Sequence, residues 1–166
     1  MSGQISTQDS EAFFQLKSKI SILGALTDEQ IETLLKEMTI SNYEDGDTIF
    51  VSGDPASSIY IVLRGRVRLD FGDDMNPLSQ IEFQPGDCFG ETSVIGIQPH
   101  SATAISNGPA DLMVLNTMML GSIYESDTKL FATLMMNIAR EASRRLHHTD
   151  SLFLEYTKTR QLAAVH

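Results

Sequence analysis

The sequence predicts an α+β chain: a β-rich middle, folded antiparallel as a sandwich, jelly roll or barrel, lies between short N-terminal helices and one long C-terminal helix. Three observations carry this reading. Between Thr48 and Leu115, short apolar stretches alternate with Gly, Pro and Asp turns, and no ten-residue helix intervenes. Before this region, Thr27 and Gln30 have the T-x-x-Q spacing of a capping box. After it, apolar residues recur at spacings of three and four over roughly seven turns, with no Gly or Pro between Thr128 and His166.

The amphipathic stretch from Glu11 to Ile22 predicts a short helix that stops before Gly24. A second helix starts at Thr27, with Leu26 and Ile31 as its hydrophobic staple, and turns Ile31, Leu34, Leu35 and Met38 inward. The turn EDGD, Glu44 to Asp47, closes this region. The strand candidates are then TIFV, SIYIVL, VRLDF, QIEF, SATAI and DLMVL, punctuated by SGDP, RG, GDD, PGD and NGP. If RGRVRLDF is one strand, alternation puts Arg64, Arg66 and Arg68 on a wet face and Val67, Leu69 and Phe71 on the other.

Asn116 is a candidate N-cap for a short helix over TMMLGSIYE, and Ser126 with Asp127 starts the last helix. Its apolar stripe runs through Leu130, Leu134, Ile138, Ala142, Leu146, Thr149, Phe153 and Tyr156. A helix of about 40 Å or more is longer than a small barrel can cover, so part of the stripe requires another surface. The sequence therefore predicts a homodimer through this helix, with Leu134, Ile138, Ala142, Leu146, Thr149 and Phe153 as the pairing residues. The chain divides into an N-terminal segment (1–26), a helix and β-roll (27–126) and the long helix (127–166).

Composition narrows the function. The 166 residues, 42% of them hydrophobic, suit one domain with a real core. The chain has no run of eighteen apolar residues, and its start lacks a basic, apolar leader pattern, which predicts a cytoplasmic protein without membrane contact. A single cysteine, Cys88, excludes an internal disulfide and a multi-thiolate metal site, and reads as a core residue. The net charge of −10 argues against nucleic acid as a partner. It divides into −13 over residues 1–128 and +3 over 129–166, as for a solvated basic helix face beside an acidic barrel.

Catalysis finds little support. A cupin-type metal site needs His-x-His with further ligands on neighbouring strands, whereas the histidines are His100, His147, His148 and His166. Ser93 and Ser101 have no base and orienting partner, and neither Gly-x-Ser-x-Gly nor a P-loop occurs. No catalytic residue, metal ligand or required cofactor is expected.

EDGDTIFVSGDPASSIYIVLRGRVRL resembles the opening half of the cyclic-nucleotide-binding domains of the catabolite activator protein superfamily, with Gly46, Phe50, Gly53, Asp54, Tyr60, Val62, Gly65 and Val67 in the places that pattern gives them. PGDCFGE is similar to the entry of that family's phosphate-binding cassette, and NIAREASRRLHHTD to its dimerisation helix. The resemblance covers roughly residues 20–160 and implies an antiparallel jelly-roll, or double-stranded β-helix, with N-terminal helices and a long C-terminal dimerisation helix. It also implies a site. Backbone N–H groups and an arginine hold the cyclic phosphate, Glu91 accepts from the ribose 2′-hydroxyl, and Gly90 lets the backbone approach. Ser101 and Ala102 keep the small-residue turn, and Thr149 falls where a hydroxyl approaches the purine across the dimer.

One departure matters. Where the family has Arg-(Ser/Thr)-Ala-Thr this sequence reads HSAT, so His100 stands in the arginine's place. A hydrogen bond to a charged group contributes about 1.5–3 kcal/mol, so losing the arginine weakens phosphate binding by about tenfold to a thousandfold. An imidazole, with a pKa of about 6.5, compensates only when protonated. Strand alternation turns Arg66 and Arg68 away.

The expectation is a non-catalytic sensory or regulatory module with a degenerate cassette, binding cyclic AMP or cyclic GMP weakly or not at all. Three other readings stay open: a ligand-independent dimeric adaptor for a protein partner, a different anionic or nucleotide ligand, and, remotely, a cupin-like enzyme. In the adaptor, Met118, Met119, Met135 and Met136 could supply adaptable contacts in place of core packing. The few residues after Arg160 leave no room for the family's DNA-binding domain, so a stand-alone module is expected.

Overall fold

The computed structural model describes residues 2–73 and 76–163; Asp74 of the GDD turn and His166 lie outside them. A short strand, β1 (Ser2–Gly3), precedes helix α1 (Thr7–Leu16), a single 3-10 turn (Ser21–Leu23) and α2 (Asp28–Glu37). The roll follows as β2 (Thr39–Tyr43), β3 (Thr48–Phe50), β4 (Ser58–Arg64), β5 (Val67–Asp73), β6 (Asn76–Phe83), β7 (Cys88–Phe89), helix α3 (Glu91–Gly96), β8 (Thr103–Ser106) and β9 (Ala110–Asn116). Helices α4 (Thr117–Ser126) and α5 (Thr128–Ala163) complete the chain.

The strands form two antiparallel sheets, ordered β1-β2-β9-β4-β7 and β3-β8-β5-β6. The first sheet is covered on both faces, which explains why SIYIVL reads as an unbroken apolar run and not as an alternation. Along β4, Ile59, Ile61 and Leu63 join Met113 and Leu115 of β9 against the helices. The intervening Val62 and Leu112 point the other way, into the roll, with Phe50, Val67, Phe83, Phe89 and Ala104. Period-two geometry thus divides one strand between two cores.

Local chemistry sets the helix ends. Thr27 accepts from the Gln30 N–H and the Gln30 side chain accepts from the Thr27 N–H, closing the expected box. Asn116 caps α4 by accepting from the Met119 N–H, and Asp127 accepts from the Leu130 N–H at the start of α5. The first helix differs from its expected span. A Ser6–Asp9 box starts it at Thr7, and it ends at Leu16, leaving Ser21–Leu23 as the separate turn.

RGRVRLDF is likewise not one strand. Gly65, at φ +77°, reverses the chain where an added Cβ would collide with the backbone of Pro109 and Ala110, so Arg64 ends β4 and Arg66 lies in the turn before β5. Arg64 then pairs with Asp9 at 2.8 Å and Asp111 at 2.9 Å, fastening α1 to the roll. Arg68 pairs with Asp70 at 2.7 Å, and Arg66 lies 3.6 Å from Glu82.

Helix α5 is anchored by Leu130, Leu134 and Ile138, all fully buried in the chain's own core. These residues share a face with the buried Asn137, whose amide donates to the carbonyls of Ile22 (3.0 Å) and Gly24. Its own oxygen accepts from Arg140 at 2.9 Å. Beyond this anchor the stripe comes out of cover: Leu146, Phe153 and Tyr156 are exposed, as are Leu152 and Leu154. Two residues expected to pair with a partner helix, Leu134 and Ile138, are therefore already spent on the core.

Asn137→Ala removes the donor to two carbonyls in a buried setting. It should cost about 1–3 kcal/mol in urea denaturation, whereas Thr133→Ala, a half-buried residue whose hydroxyl donates only to the Lys129 carbonyl one turn back, should cost well under half of that.

Candidate functional site

Tight backbone geometry builds the floor of the candidate site. Gly90 has φ +84°, and a Cβ there would lie 2.8 Å from the Ser58 carbonyl, so only glycine lets the chain pass β4 and turn into α3. That turn drives the next side chain, Glu91, completely out of solvent. An ionised carboxylate in such a place requires a nearby cation.

Arg145 of α5 supplies it. Its Nη1 lies 2.8 Å from Glu91 Oε1, its Nη2 donates to the Cys88 carbonyl, and its Nε donates to Glu141 Oε1 at 3.3 Å. The guanidinium also sits 5.0 Å over the Phe83 ring. The contact with Glu91 is a charge pairing without an aligned hydrogen bond, because neither Glu91 oxygen accepts one. Burial pushes the Glu91 carboxyl above its ordinary value and Arg145 pulls it back only in part. The same burial, with Glu91 beside it, pushes the Cys88 thiol up to about 12, so this cysteine is an inert core residue.

Above this floor lies a cavity of about 490 Å³, between the open face of the roll and α5. Gly90, His100, Ser101, Ala102 and Thr149 all line it, with Glu91 sealed beneath Arg145; Thr149, expected to approach the site across a dimer, lines the cavity of its own chain. Phe50, Leu69, Phe71 and Phe83 form its apolar wall. Thr149 faces the cavity from α5 while its hydroxyl donates to the Arg145 carbonyl at 3.0 Å. Ala142 is half-buried, short of the cavity wall.

His100 settles into the wall as an aromatic. It is 6% exposed and stacks face to face on Phe50, with ring centroids 3.6 Å apart and planes 6° from parallel. Its backbone is fixed in both directions: its N–H donates to the Asp54 carbonyl (2.9 Å), and its own carbonyl accepts from the Gly53 N–H (2.8 Å). Desolvation holds the imidazole below its ordinary pKa of 6.5, against the opposing pull of Asp54. Arg66 and Arg68 do not reach the cavity.

Sequence reading missed Arg145 as the cation beneath the cavity. The available signal was its place one turn before Thr149 and one turn after Glu141, the i, i+4 spacing that puts all three on one helix face. Among the described residues, no cluster of three or more His, Cys, Asp or Glu side chains could hold a metal ion, and no helix is long and apolar enough to cross a membrane.

Arg145→Ala strands a buried carboxylate and should cost about 1–3 kcal/mol of stability at neutral pH, much of it restored by adding Glu91→Gln. The sign follows from the raised folded pKa of Glu91. Its favourable contribution is complete below the unfolded value of 4.5 and is lost as pH rises through the folded value, a loss that Arg145→Ala enlarges. His100 has the opposite sign: its contribution is complete above 6.5 and is lost as pH falls through the lowered folded value. A His100→Phe chain should therefore lose less stability than the parent between pH 7 and pH 5, as measured by urea midpoints.

The comparisons with known proteins agree with this geometry. The family model for the cyclic nucleotide-binding domain matches residues 40–127, more than half of the chain. A cAMP-dependent protein kinase regulatory subunit from Dictyostelium discoideum is 31% identical over 94 residues, covering 54% of this chain but only 29% of that protein. Among solved structures, a cyclic nucleotide-binding domain from Methylobacillus flagellatus superposes with a TM-score of 0.78 over 92% of this chain and 88% of its own, at 20% identity. The catabolite activator protein of Thermus thermophilus gives 0.70 over 83% of this chain and 63% of its own, at 25% identity. With the jelly-roll, the Gly90–Glu91 turn and the long terminal helix in place, the chain belongs to the cyclic nucleotide-binding domain family.

Proposed function

We propose that this chain is a non-catalytic regulatory module whose cassette binds cyclic AMP or cyclic GMP weakly or not at all, and whose output is the position of α5. One observation carries the proposal: the side chain in the phosphate arginine's place, His100, is buried against Phe50 in an environment that disfavours its cation. An imidazole so held offers a cyclic phosphate neither a charge nor the paired donors of a guanidinium.

The cations that line the cavity, Arg144 and Arg145, come from α5 and not from the roll. Anything that fills the cavity therefore touches the roll and the helix together, and a ligand that prefers one helix position shifts the population toward it. Cyclic nucleotide is no required cofactor in this reading. The module works in the cytoplasm as a homodimer, joined through the outer part of α5, and acts on a protein partner.

A second reading, a ligand-independent dimeric adaptor, draws on one specific observation. Leu146, Leu152, Phe153, Leu154 and Tyr156 are all more than half exposed on a single helix, enough apolar surface to seat a second helix.

Calorimetric titration with cyclic AMP and cyclic GMP should give no submicromolar affinity, and nanomolar capture of either by the unaltered chain would refute the degenerate cassette. A His100→Arg chain should bind at least about tenfold more tightly if the pocket around it is intact. For the assembly, light scattering should report a dimer that Phe153→Asp converts to monomer; a monomer at high micromolar concentration from the parent chain would exclude the helix pairing.

A further inference from the structure

We propose that the cavity between the roll and α5 takes an uncharged purine nucleoside in preference to the corresponding cyclic phosphodiester. The inference rests on the regulatory reading above and specifies the ligand class of the same site: the family supplies the nucleotide shape, and the charges around the cavity decide which form of it fits.

The charge balance is unfavourable to an anion. The carboxylates lining the cavity are Glu82, Asp87 and Glu141, and the guanidinium groups are Arg144 and Arg145. Both arginines are already engaged, Arg145 with Glu91 and Glu141 and Arg144 with Glu141 at 2.8 Å. Where the family has its phosphate arginine, the neutral edge of a stacked aromatic pair closes the wall. A cyclic phosphate would leave water to face three carboxylates and would have to break an existing ion pair to gain a cation.

An uncharged nucleoside meets none of these penalties. Its base has an apolar wall to lie on, formed by the accessible side chains of Leu69, Phe71 and Ile81, since Phe50 is covered by His100 and Phe83 by Arg145, in a cavity of about 490 Å³ that suits a small organic ligand. Its sugar hydroxyls are donors, and the cavity presents an acceptor that lacks one. Glu141 Oε2 is buried and accepts no aligned hydrogen bond, although it lies beside Arg144. A hydroxyl satisfies that oxygen; a phosphodiester oxygen, which is acceptor only, repels it.

The test compares ligands differing by the phosphodiester alone: adenosine and guanosine against their 3′,5′-cyclic monophosphates, titrated calorimetrically into the unaltered chain. At least one nucleoside should bind about tenfold or more tightly than its cyclic monophosphate. Glu141→Gln should narrow the ratio by removing a lining carboxylate, and His100→Arg should narrow or reverse it by restoring a cation, each variant being checked by its melting curve. A cyclic monophosphate that binds as tightly as its nucleoside overturns the proposal. Silence from all four ligands at millimolar concentration also overturns it while leaving the weak-binding regulatory reading standing, whereas nanomolar binding of a cyclic monophosphate overturns both.

Discussion

A carboxylate with no exposed surface is the constraint on which this architecture turns. Glu91 is forced inward by the left-handed turn at Gly90, and inside the protein the guanidinium of Arg145 answers it. Because Glu91 belongs to the roll and Arg145 to α5, satisfying that charge fixes where the helix lies. The same guanidinium also takes hold of the Cys88 carbonyl, Glu141 and the face of Phe83. One side chain thus joins the β7 strand, the cassette, the helix and the aromatic wall, which makes their positions interdependent.

The cavity is asymmetric in its electrostatics. On the roll side its wall holds the Gly90 corner and a His100 ring stacked on Phe50. The guanidinium groups that line it, Arg144 and Arg145, stand on the helix, where they are balanced by Glu141 and Glu91. Membership of the family, which the family model establishes, does not by itself fix what the cavity holds.

Much of the fold was legible because its determinants are local. The Thr27–Gln30 box, the Asn116 cap and the three-and-four spacing from Leu130 each lie within a few residues, and each element formed where they point. The site candidates Gly90, His100, Ser101 and Ala102 line one cavity, a proximity that a family pattern carries and local rules cannot, whereas Thr149 lines it from its own chain and not from across a dimer. The failures have equally definite causes. Strand β2, TISNY, mixes polar and apolar residues with too weak an alternation to be read. The phase of the arginines was lost at Gly65, where a turn interrupts what looked like continuous alternation. The meeting of Glu91 and Arg145 spans β8, β9, α4 and the first part of α5, and nothing in either residue's neighbourhood announces it. The division of the long stripe into a buried and an exposed half depends on where the roll ends, a boundary set in space and not along the chain.

The latch at Asn137 gives α5 a mechanical character. From there to Ala163 the helix runs about 39 Å at 1.5 Å per residue, and the fully buried anchors all lie at or before Ile138. Pivoted at that point, a tilt of about 5° displaces the far end by about 3 Å, roughly the reach of a hydrogen bond. Sub-ångström rearrangements under Arg145 can thus be amplified, purely by leverage, into a displacement large enough for another protein surface to read.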